Sequence, residues 1–388
     1  MSHKTSFTRS GAHAETHVVA RVANRIGYLE LERPRTLNAL SSGMVDAMHA
    51  ALEQWREDPD VIAVVVLSRH ARAFCAGGDV RFLYESYRNG HQHELDTFFI
   101  HEYRLDHAIF TYPKPYIALL NGVVMGGGMG ISQGAHRSGG LRVVGASTRM
   151  AMPETRIGLF PDVGAGWYLA RTPGAIGCYL AVTGETIGAA DALYAGLADV
   201  YLDEAAWPAL LDSLHTEPFE TGADVVARIE REARARGGAT DPDKSALAGA
   251  RVWIDRHFAQ PDVPRIFASL EAAQEPAQRD ADLAGAEWAA RTESVLRELS
   301  PLSMAVSLEV VMRSDDSMAE CLRRDLDLTR STFAHGDVME GIRARIIDKD
   351  DRPHWRFARI EVVRVEDVQR MFESPWRGGE HPLAALRG

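Results

Sequence analysis

The hydrophobic pattern of the N-terminal part of the chain predicts strands that alternate with a helix. Polar and apolar residues tend to alternate in HVVARVANRIGYLELE at 17–32, which is typical of a half-buried strand. The apolar positions of 41–56 recur at helical spacing, and the β-branched run VIAVVVLS at 61–68 predicts a buried strand. Strand, helix and strand in this order indicate an α/β fold.

The alternation of strands and helices continues and then gives way to helices. PYIALLNGVV at 115–124 predicts another buried strand, and GGGMGISQGA at 126–135 predicts a helix that starts at glycines. Two short strands are expected near 141–152. From 222 to 345 the pattern is helical, and ARIIDKD near 344–350 is the one strand-like segment.

The chain of 388 residues is long enough for one large core and an appended unit. We expect a flexible N-terminus at 1–16, a core at 17–210, a helical linking region at 211–298 and a helical C-terminal region at 299–388. The overall expectation is a mixed α/β core with a mostly helical C-terminal extension.

Composition and charge exclude several classes of protein. Hydrophobic residues make up 46% and charged residues 25%, as in ordinary globular enzymes. The net charge of -11 argues against nucleic-acid binding, and no apolar run suggests a membrane span. Three cysteines without a CxxC pair argue against a disulfide framework or a zinc site. We expect a cytoplasmic protein, while the short, acid-poor start leaves organelle targeting open.

Two glycine-containing loops are candidate anion-binding sites. AFCAGGD at 73–79 follows the strand at 61–68, and GGGMG at 126–130 follows the strand at 115–124. Small residues let backbone N–H groups approach a ligand, so two such loops can aim two donors at one oxyanion. A dinucleotide site is the alternative, but GxGxxG is not completed, because residue 133 is Gln.

Three acids are candidates for proton transfer or substrate contact. Glu154 and Asp162 lie among apolar residues in MPETRIGLFPDVGAG, where an acid is either a helix cap or a group with a tuned pKa. Glu102 lies in FFIHEYRLDHAIF at 98–110, which has helical periodicity. A salt bridge to Arg104 or a solvated helix face is the alternative for Glu102.

In order and spacing, AFCAGGD, KPYIALLNGVVMGGGMG and MPETRIGLFPDVGAG resemble the crotonase (enoyl-CoA hydratase/isomerase) superfamily. The resemblance implies a crotonase spiral core and two oxyanion donors, the N–H groups of Gly78 and Gly127. It also places Arg33, Arg35 and Arg72 near the phosphates of coenzyme A, although solvated surface arginines are an equal alternative.

Three positions separate the subfamilies. Hydratases carry a Glu where this chain has Gly130 and a second Glu that matches Glu154. A dienoyl-CoA isomerase pattern has an Asp at the position of Gly130, with acids that match Glu154 and Asp162. The 3-hydroxyisobutyryl-CoA hydrolases resemble this chain in having Gly, Glu and Asp at 130, 154 and 162. The segment from 299 to 355 also resembles that subfamily. Hydrolysis expels a thiolate whose conjugate acid has a pKa of about 8.5, so a second acid is not needed.

The resemblance implies a role for each acid in hydrolysis of a short branched 3-hydroxyacyl-CoA, with valine catabolism as the setting. Glu154 would activate water or attack the thioester, Asp162 would orient the substrate hydroxyl, and Glu102 would contact the hydroxyl end. No cofactor and no metal are expected, since coenzyme A is part of the substrate. A hydratase or isomerase and a non-catalytic acyl-CoA-binding protein are the rival hypotheses, and a homo-oligomer stays open.

Overall fold

The structure is a computed structural model that describes residues 16–236, 244–314, 317–376 and 380–387. Apart from residue 16, the predicted flexible N-terminus lies outside the described residues. The strands are β1 Val18–Ala23, β2 Ile26–Leu31, β3 Ala63–Ser68, β4 Ala73–Cys75, β5 Tyr116–Leu120, β6 Val123–Met125, β7 Arg142–Val144, β8 Arg149–Ala151 and β9 Val200–Tyr201. The first nine helices are α1 Ser42–Arg56, α2 Val80–Arg88, α3 Gln92–Phe110, α4 Gly127–Gln133, α5 Ala165–Leu169, α6 Ile176–Thr183, α7 Ala189–Tyr194, α8 Trp207–Thr216 and α9 Gly222–Arg236. The others are α10 Ala246–Phe258, α11 Val263–Gln274, α12 Pro276–Ala281, α13 Leu283–Leu296, α14 Pro301–Met312, α15 Met318–His335, α16 Val338–Ile342 and α17 Val365–Met371.

The first extended segment is a hairpin and not one strand. β1 and β2 pair antiparallel, with Ala23 opposite Ile26. Asn24 and Arg25 between them have φ of 49° and 62°. Two successive positive φ values are typical of the tight turns that match the twist of paired strands. The prediction of a single strand over 17–32 was therefore wrong, because alternation of polar and apolar residues continues across such a turn.

Two sheets bring the glycine loops together. The larger sheet has the order β1-β2-β3-β5-β7-β9 and is parallel from β2 onward. The smaller has the order β4-β6-β8, and β4 pairs parallel with β6, with Cys75 opposite Val124. Because parallel strands end at the same edge of a sheet, the loops after β4 and β6 begin side by side.

Both faces of the larger sheet are covered by apolar side chains. Ile26, Tyr28 and Val65 belong to a core cluster that includes Trp207 and Leu210 of α8. On Gly27, a Cβ atom would lie 2.5 Å from the Trp55 ring of α1, so the missing side chain makes room for the indole. A sheet buried on both faces is typical of parallel α/β proteins.

The chain forms two compact units that alternate along the sequence. Unit 1 comprises residues 1–79, 101–150 and 187–244, and unit 2 comprises residues 80–100, 151–186 and 245–388. The linear boundaries predicted at 210 and 298 stay a prediction. Within the described ranges, no helix is long and apolar enough to span a membrane.

The later part of the chain is helical, as predicted. Among the described residues that follow β9, no strand is present. The strand predicted near 344–350 was wrong, since residues 343–347 form a π-helix that continues α16. In it, Arg345 Nε donates to the Arg156 carbonyl oxygen at 2.7 Å, and the Arg343 guanidinium pairs with Glu340. The segment contains only the short apolar run of Ile346 and Ile347, and so short a run does not distinguish a strand from a helix.

Candidate active site

The loop after β4 is fixed by a short parallel bridge to Leu40. The Leu40 N–H donates to the Gly77 carbonyl oxygen at 2.7 Å, and the Asp79 N–H donates to the Leu40 carbonyl oxygen at 2.9 Å. Neither bond uses the N–H of Gly78, which lies between them. Gly77 has a φ of 102°, which favours glycine. The bridge therefore holds Gly78 in place without consuming its amide.

Gly127 lies against this loop at the start of α4. A Cβ atom built on Gly127 would lie 3.4 Å from Gly78 N, and one built on Gly77 would lie 3.5 Å from Gly127 N. The N–H of Gly127 is in the first turn of the helix, where intrahelical acceptors are missing. The structure thus brings the two predicted donors together. We call the backbone of residues 77–78 and 126–127 the amide cradle.

Gly128 and Cys75 form the wall behind the amide cradle. A Cβ atom on Gly128 would lie 2.4 Å from the Cys75 carbonyl oxygen, so this position needs glycine. Burial, together with the charges of Glu102 and Asp106, raises the pKa of the Cys75 thiol to about 12, although a hydrogen bond with Gly77 opposes the shift. Cys75 is therefore a buried, unreactive thiol.

Glu102 extends from α3 toward the amide cradle. Its Oε1 would lie 2.6 Å from a Cβ atom built on Gly127, and the residue is 2% exposed. This burial excludes the solvated helix face that was the alternative for Glu102. Asp106 follows one turn later and is equally buried. Sequence reasoning missed Asp106, although its i,i+4 spacing from Glu102 places both acids on one helix face.

The three predicted coenzyme A arginines have different surroundings. The Arg33 guanidinium pairs with Asp79 at 2.8 Å and donates to the Ala39 carbonyl oxygen at 2.9 Å. Arg35 and Arg72 are exposed, and no carboxylate of the described residues lies within salt-bridge distance of either. Arg33 thus braces the loop that ends at Asp79, and the predicted phosphate contacts of all three stay a prediction.

Glu154 lies in unit 2, at the start of a 3₁₀ turn over residues 154–157. It is buried, and its carbonyl oxygen accepts the N–H of Leu159 at 3.0 Å. The turn ends at Gly158, whose φ is 71°. The burial excludes a surface position for this acid.

Asp162 lies in unit 2 as well, in a second turn with an unusual backbone. The residue is buried, and its carbonyl oxygen accepts the N–H of Ala165 at 2.8 Å. Val163 has a φ of 51° and Gly164 one of 77°. A positive φ is rare for a β-branched residue and indicates local strain.

The C-terminal helices support the segment that carries Glu154 and Asp162. A Cβ atom on Gly341 of α16 would lie 2.2 Å from the Ile157 carbonyl oxygen. The Ser303 hydroxyl of α14 donates to the Leu159 carbonyl oxygen. A Cβ atom on Gly158 would contact Asp337, and Asp337 accepts a hydrogen bond from the Ser300 hydroxyl at 2.6 Å. The acid-bearing segment is thus packed against helices more than a hundred residues later in the chain.

The predicted residues form two groups, each within one unit. Gly78, Gly127 and Glu102 lie together in unit 1, and Glu154 and Asp162 lie in unit 2 on one supported segment. Their chemical roles stay predictions at this stage.

The chain resembles known proteins over most of its length. Residues 26–372 match the family model described as enoyl-CoA hydratase/isomerase. The mitochondrial 3-hydroxyisobutyryl-CoA hydrolase of Bos taurus is 36% identical over 353 residues, which cover 90% of this chain and 86% of that protein.

Two solved structures also resemble this chain. A carnitinyl-CoA dehydratase from Mycobacterium thermoresistibile has a TM-score of 0.80 at 33% identity, with 92% of this chain and 96% of that one covered. An enoyl-CoA hydratase from Rhodobacter sphaeroides 2.4.1 has a TM-score of 0.78 at 36% identity, with 92% and 98% covered. The chain belongs to the enoyl-CoA hydratase/isomerase family, and within it to the 3-hydroxyisobutyryl-CoA hydrolase subfamily. The predicted crotonase fold and the predicted subfamily are confirmed.

Proposed function

We propose that this protein hydrolyses the thioester of a short branched 3-hydroxyacyl-CoA, with 3-hydroxyisobutyryl-CoA as the substrate. The products are the free hydroxy acid and coenzyme A. The single observation that carries the proposal is the amide cradle, in which Gly78 and Gly127 lie together beside the buried carboxylate of Glu102. The similarity to a 3-hydroxyisobutyryl-CoA hydrolase over 90% of the chain supports the same substrate.

In this proposal the amide cradle binds the thioester oxygen. The N–H groups of Gly78 and Gly127 donate to that oxygen as it gains negative charge in the tetrahedral intermediate. Fixed backbone donors need no rearrangement at that moment, which makes such stabilisation effective. The cradle thereby lowers the barrier to attack on the carbonyl carbon.

The two acids of unit 2 supply the nucleophile and the substrate contact. Glu154 either removes a proton from the attacking water or attacks the carbonyl itself and forms an anhydride, which water then hydrolyses. Asp162 accepts a hydrogen bond from the substrate hydroxyl, which orients it, and assists proton transfer. The thiolate leaves without prior protonation, since thiols are far more acidic than alcohols.

Thiol release distinguishes this proposal from hydration. The purified protein is incubated with 3-hydroxyisobutyryl-CoA and, separately, with crotonyl-CoA, and free thiol and enoyl absorbance are followed. We expect thiol release from the hydroxyacyl substrate and little loss of the enoyl absorbance. Gly130 supports this expectation, since no carboxyl group is present where a hydratase carries its second acid. Fast hydration of crotonyl-CoA without thiol release would assign the protein to the hydratases instead.

Replacing Glu102 by glutamine should reduce the preference for a hydroxylated acyl group. Because a carboxylate accepts a stronger hydrogen bond from a hydroxyl than an amide does, we expect kcat/KM for 3-hydroxyisobutyryl-CoA to fall by roughly tenfold to a hundredfold. Activity on isobutyryl-CoA, which lacks the hydroxyl, should change by less than about threefold. Equal losses on both substrates would show that Glu102 does not recognise the hydroxyl. The exposed Glu94→Gln, on the same helix, is the control.

A non-catalytic acyl-CoA-binding protein is the second candidate. It predicts that Glu154→Ala changes ligand affinity alone, whereas the proposed function predicts loss of turnover. The cytoplasmic location, the setting in valine catabolism and the oligomeric state stay predictions.

A further inference from the structure

Asp325 is a buried acid that has no part in the proposed chemistry. It lies in the middle of α15 with no exposed surface. Its Oδ2 accepts the N–H of Gly164 at 2.9 Å, and both atoms are buried. Its Oδ1 is buried too and has no hydrogen-bond partner among the described residues. Burying an ionised carboxylate whose oxygen lacks a hydrogen-bond partner costs free energy, so the protonated form of Asp325 is favoured.

The hydrogen bond from Gly164 fixes the turn that carries Asp162. Val163, between the two residues, has the positive φ of 51° that a β-branched residue rarely adopts. Such a conformation persists where the surrounding structure fixes it. The bond to Asp325 is a contact of this kind, because it holds the amide that directly follows the strained residue.

Two charged groups act on Asp325 within the described part of the chain. Asp162 faces it from the loop before α5, and Arg324 is its neighbour on α15. Arg324 also donates to the Val310 carbonyl oxygen of α14 at 3.2 Å. Burial, reinforced by the charge of Asp162, raises the pKa of Asp325 to about 8, and Arg324 and the Gly164 N–H oppose the shift.

We infer that Asp325 is a positioning residue for Asp162, and that it works as a neutral carboxylic acid. The proton on Asp325 keeps a second negative charge away from Asp162 while the other oxygen holds the turn through Gly164. Loss of that proton to solvent places two like charges in one buried region and disturbs the turn. The inference rests on the proposed function in so far as Asp162 contacts the substrate.

Thermal unfolding as a function of pH tests the protonation of Asp325 without any substrate. The folded chain binds this proton more tightly than the unfolded chain does. Its contribution to stability is therefore complete below about pH 4 and is lost as pH rises toward about 8. We expect this contribution to lower the wild-type Tm between about pH 4 and about pH 8, and Asp325→Asn to lose most of that fall. Asp162→Asn should move the fall to lower pH, because it removes the neighbouring negative charge.

The control for these measurements is Glu320→Gln on the same helix. Glu320 is exposed and pairs with Arg323, whose charge does not change between about pH 4 and about pH 8, so its replacement should leave the fall in Tm over that range unchanged. An unchanged fall in Asp325→Asn, or no movement of it in Asp162→Asn, would overturn the inference.

Activity tests the positioning role. Asn retains an acceptor for the Gly164 N–H and carries no charge, so Asp325→Asn should keep kcat within about threefold near pH 7 and lose the alkaline limb of the pH profile. Asp325→Ala lacks the acceptor and should raise KM and lower kcat by roughly tenfold or more. Equal loss of activity in the two variants, or an alkaline limb that persists in Asp325→Asn, would overturn the inference. If the wild type released no thiol from any acyl-CoA, the proposed function would fail while the Tm profiles still tested Asp325.

Discussion

Replacing Glu154 by glutamine should lower kcat for thioester hydrolysis by roughly 10³–10⁴-fold. Glutamine has almost the same shape, but its amide neither accepts a proton from water nor attacks a thioester at a useful rate. The buried position of Glu154 at the start of a 3₁₀ turn allows this exchange with little change in packing. Thiol release under saturating 3-hydroxyisobutyryl-CoA is the measurement, and calorimetric binding of the same compound shows whether the site is intact.

Glu298→Gln is the matched control for this prediction. Glu298 belongs to the same unit and is exposed, so kcat should stay within about twofold of the wild type. A Glu154→Gln variant that retains more than about a tenth of wild-type kcat would mean that another group drives the attack. Single-turnover hydrolysis by the wild type in ¹⁸O-labelled water distinguishes direct water attack from the anhydride route, because ¹⁸O enters the Glu154 carboxyl group only through an anhydride.

Replacing Gly127 by alanine should lower kcat by roughly 10²–10³-fold and leave the fold intact. The new methyl group would lie 2.6 Å from Glu102 Oε1 and 3.4 Å from Gly78 N, and thus inside the amide cradle. The closest atom belongs to the end of a flexible side chain, so Glu102 can move aside. The thioester oxygen then loses its place between the two donors, and loss of one such donor typically costs about 3–4 kcal/mol.

Two other glycines serve as controls for the Gly127 prediction. Gly43→Ala on α1 meets no atom within 4 Å and should leave both kcat and Tm nearly unchanged. Gly128→Ala would place its methyl group 2.4 Å from the Cys75 carbonyl oxygen, where the backbone must shift, so it should lower Tm. If Gly127→Ala lowered Tm as much as Gly128→Ala and kept its kcat, the cradle would be a packing feature and not an oxyanion site.

Local patterns in the sequence identified the elements around the amide cradle well. The helix predicted at 41–56 is α1 at Ser42–Arg56, and the buried strand predicted at 61–68 is β3 at Ala63–Ser68. The first is a long segment with helical periodicity, and the second is a continuous β-branched run. The extra turn at Asn24 and Arg25 was missed because a two-residue hairpin does not interrupt the alternation of apolar positions.

The support of the acids was less visible in the sequence. Glu154 and Asp162 are recognisable from their apolar neighbours and from the family resemblance, but Asp325 and Asp337 are more than 150 residues later in the chain. One signal was present, since Asp325 falls on the same face of α15 as the buried Leu322 and Thr329. A polar residue on an apolar stripe does not reveal its partner, because that partner is set by tertiary packing.

The contacts between the acid-bearing segment and the late helices have a consequence for protein engineering. Ile157 meets Gly341 of α16, Gly158 meets Asp337 just before that helix, and Leu159 meets Ser303 of α14. The two glycines tolerate few replacements. Grafting residues 152–166 onto a shorter relative would transfer the side chains without the scaffold that orients them. We expect such chimeras to gain activity only when α14, α15 and α16 are transplanted as well.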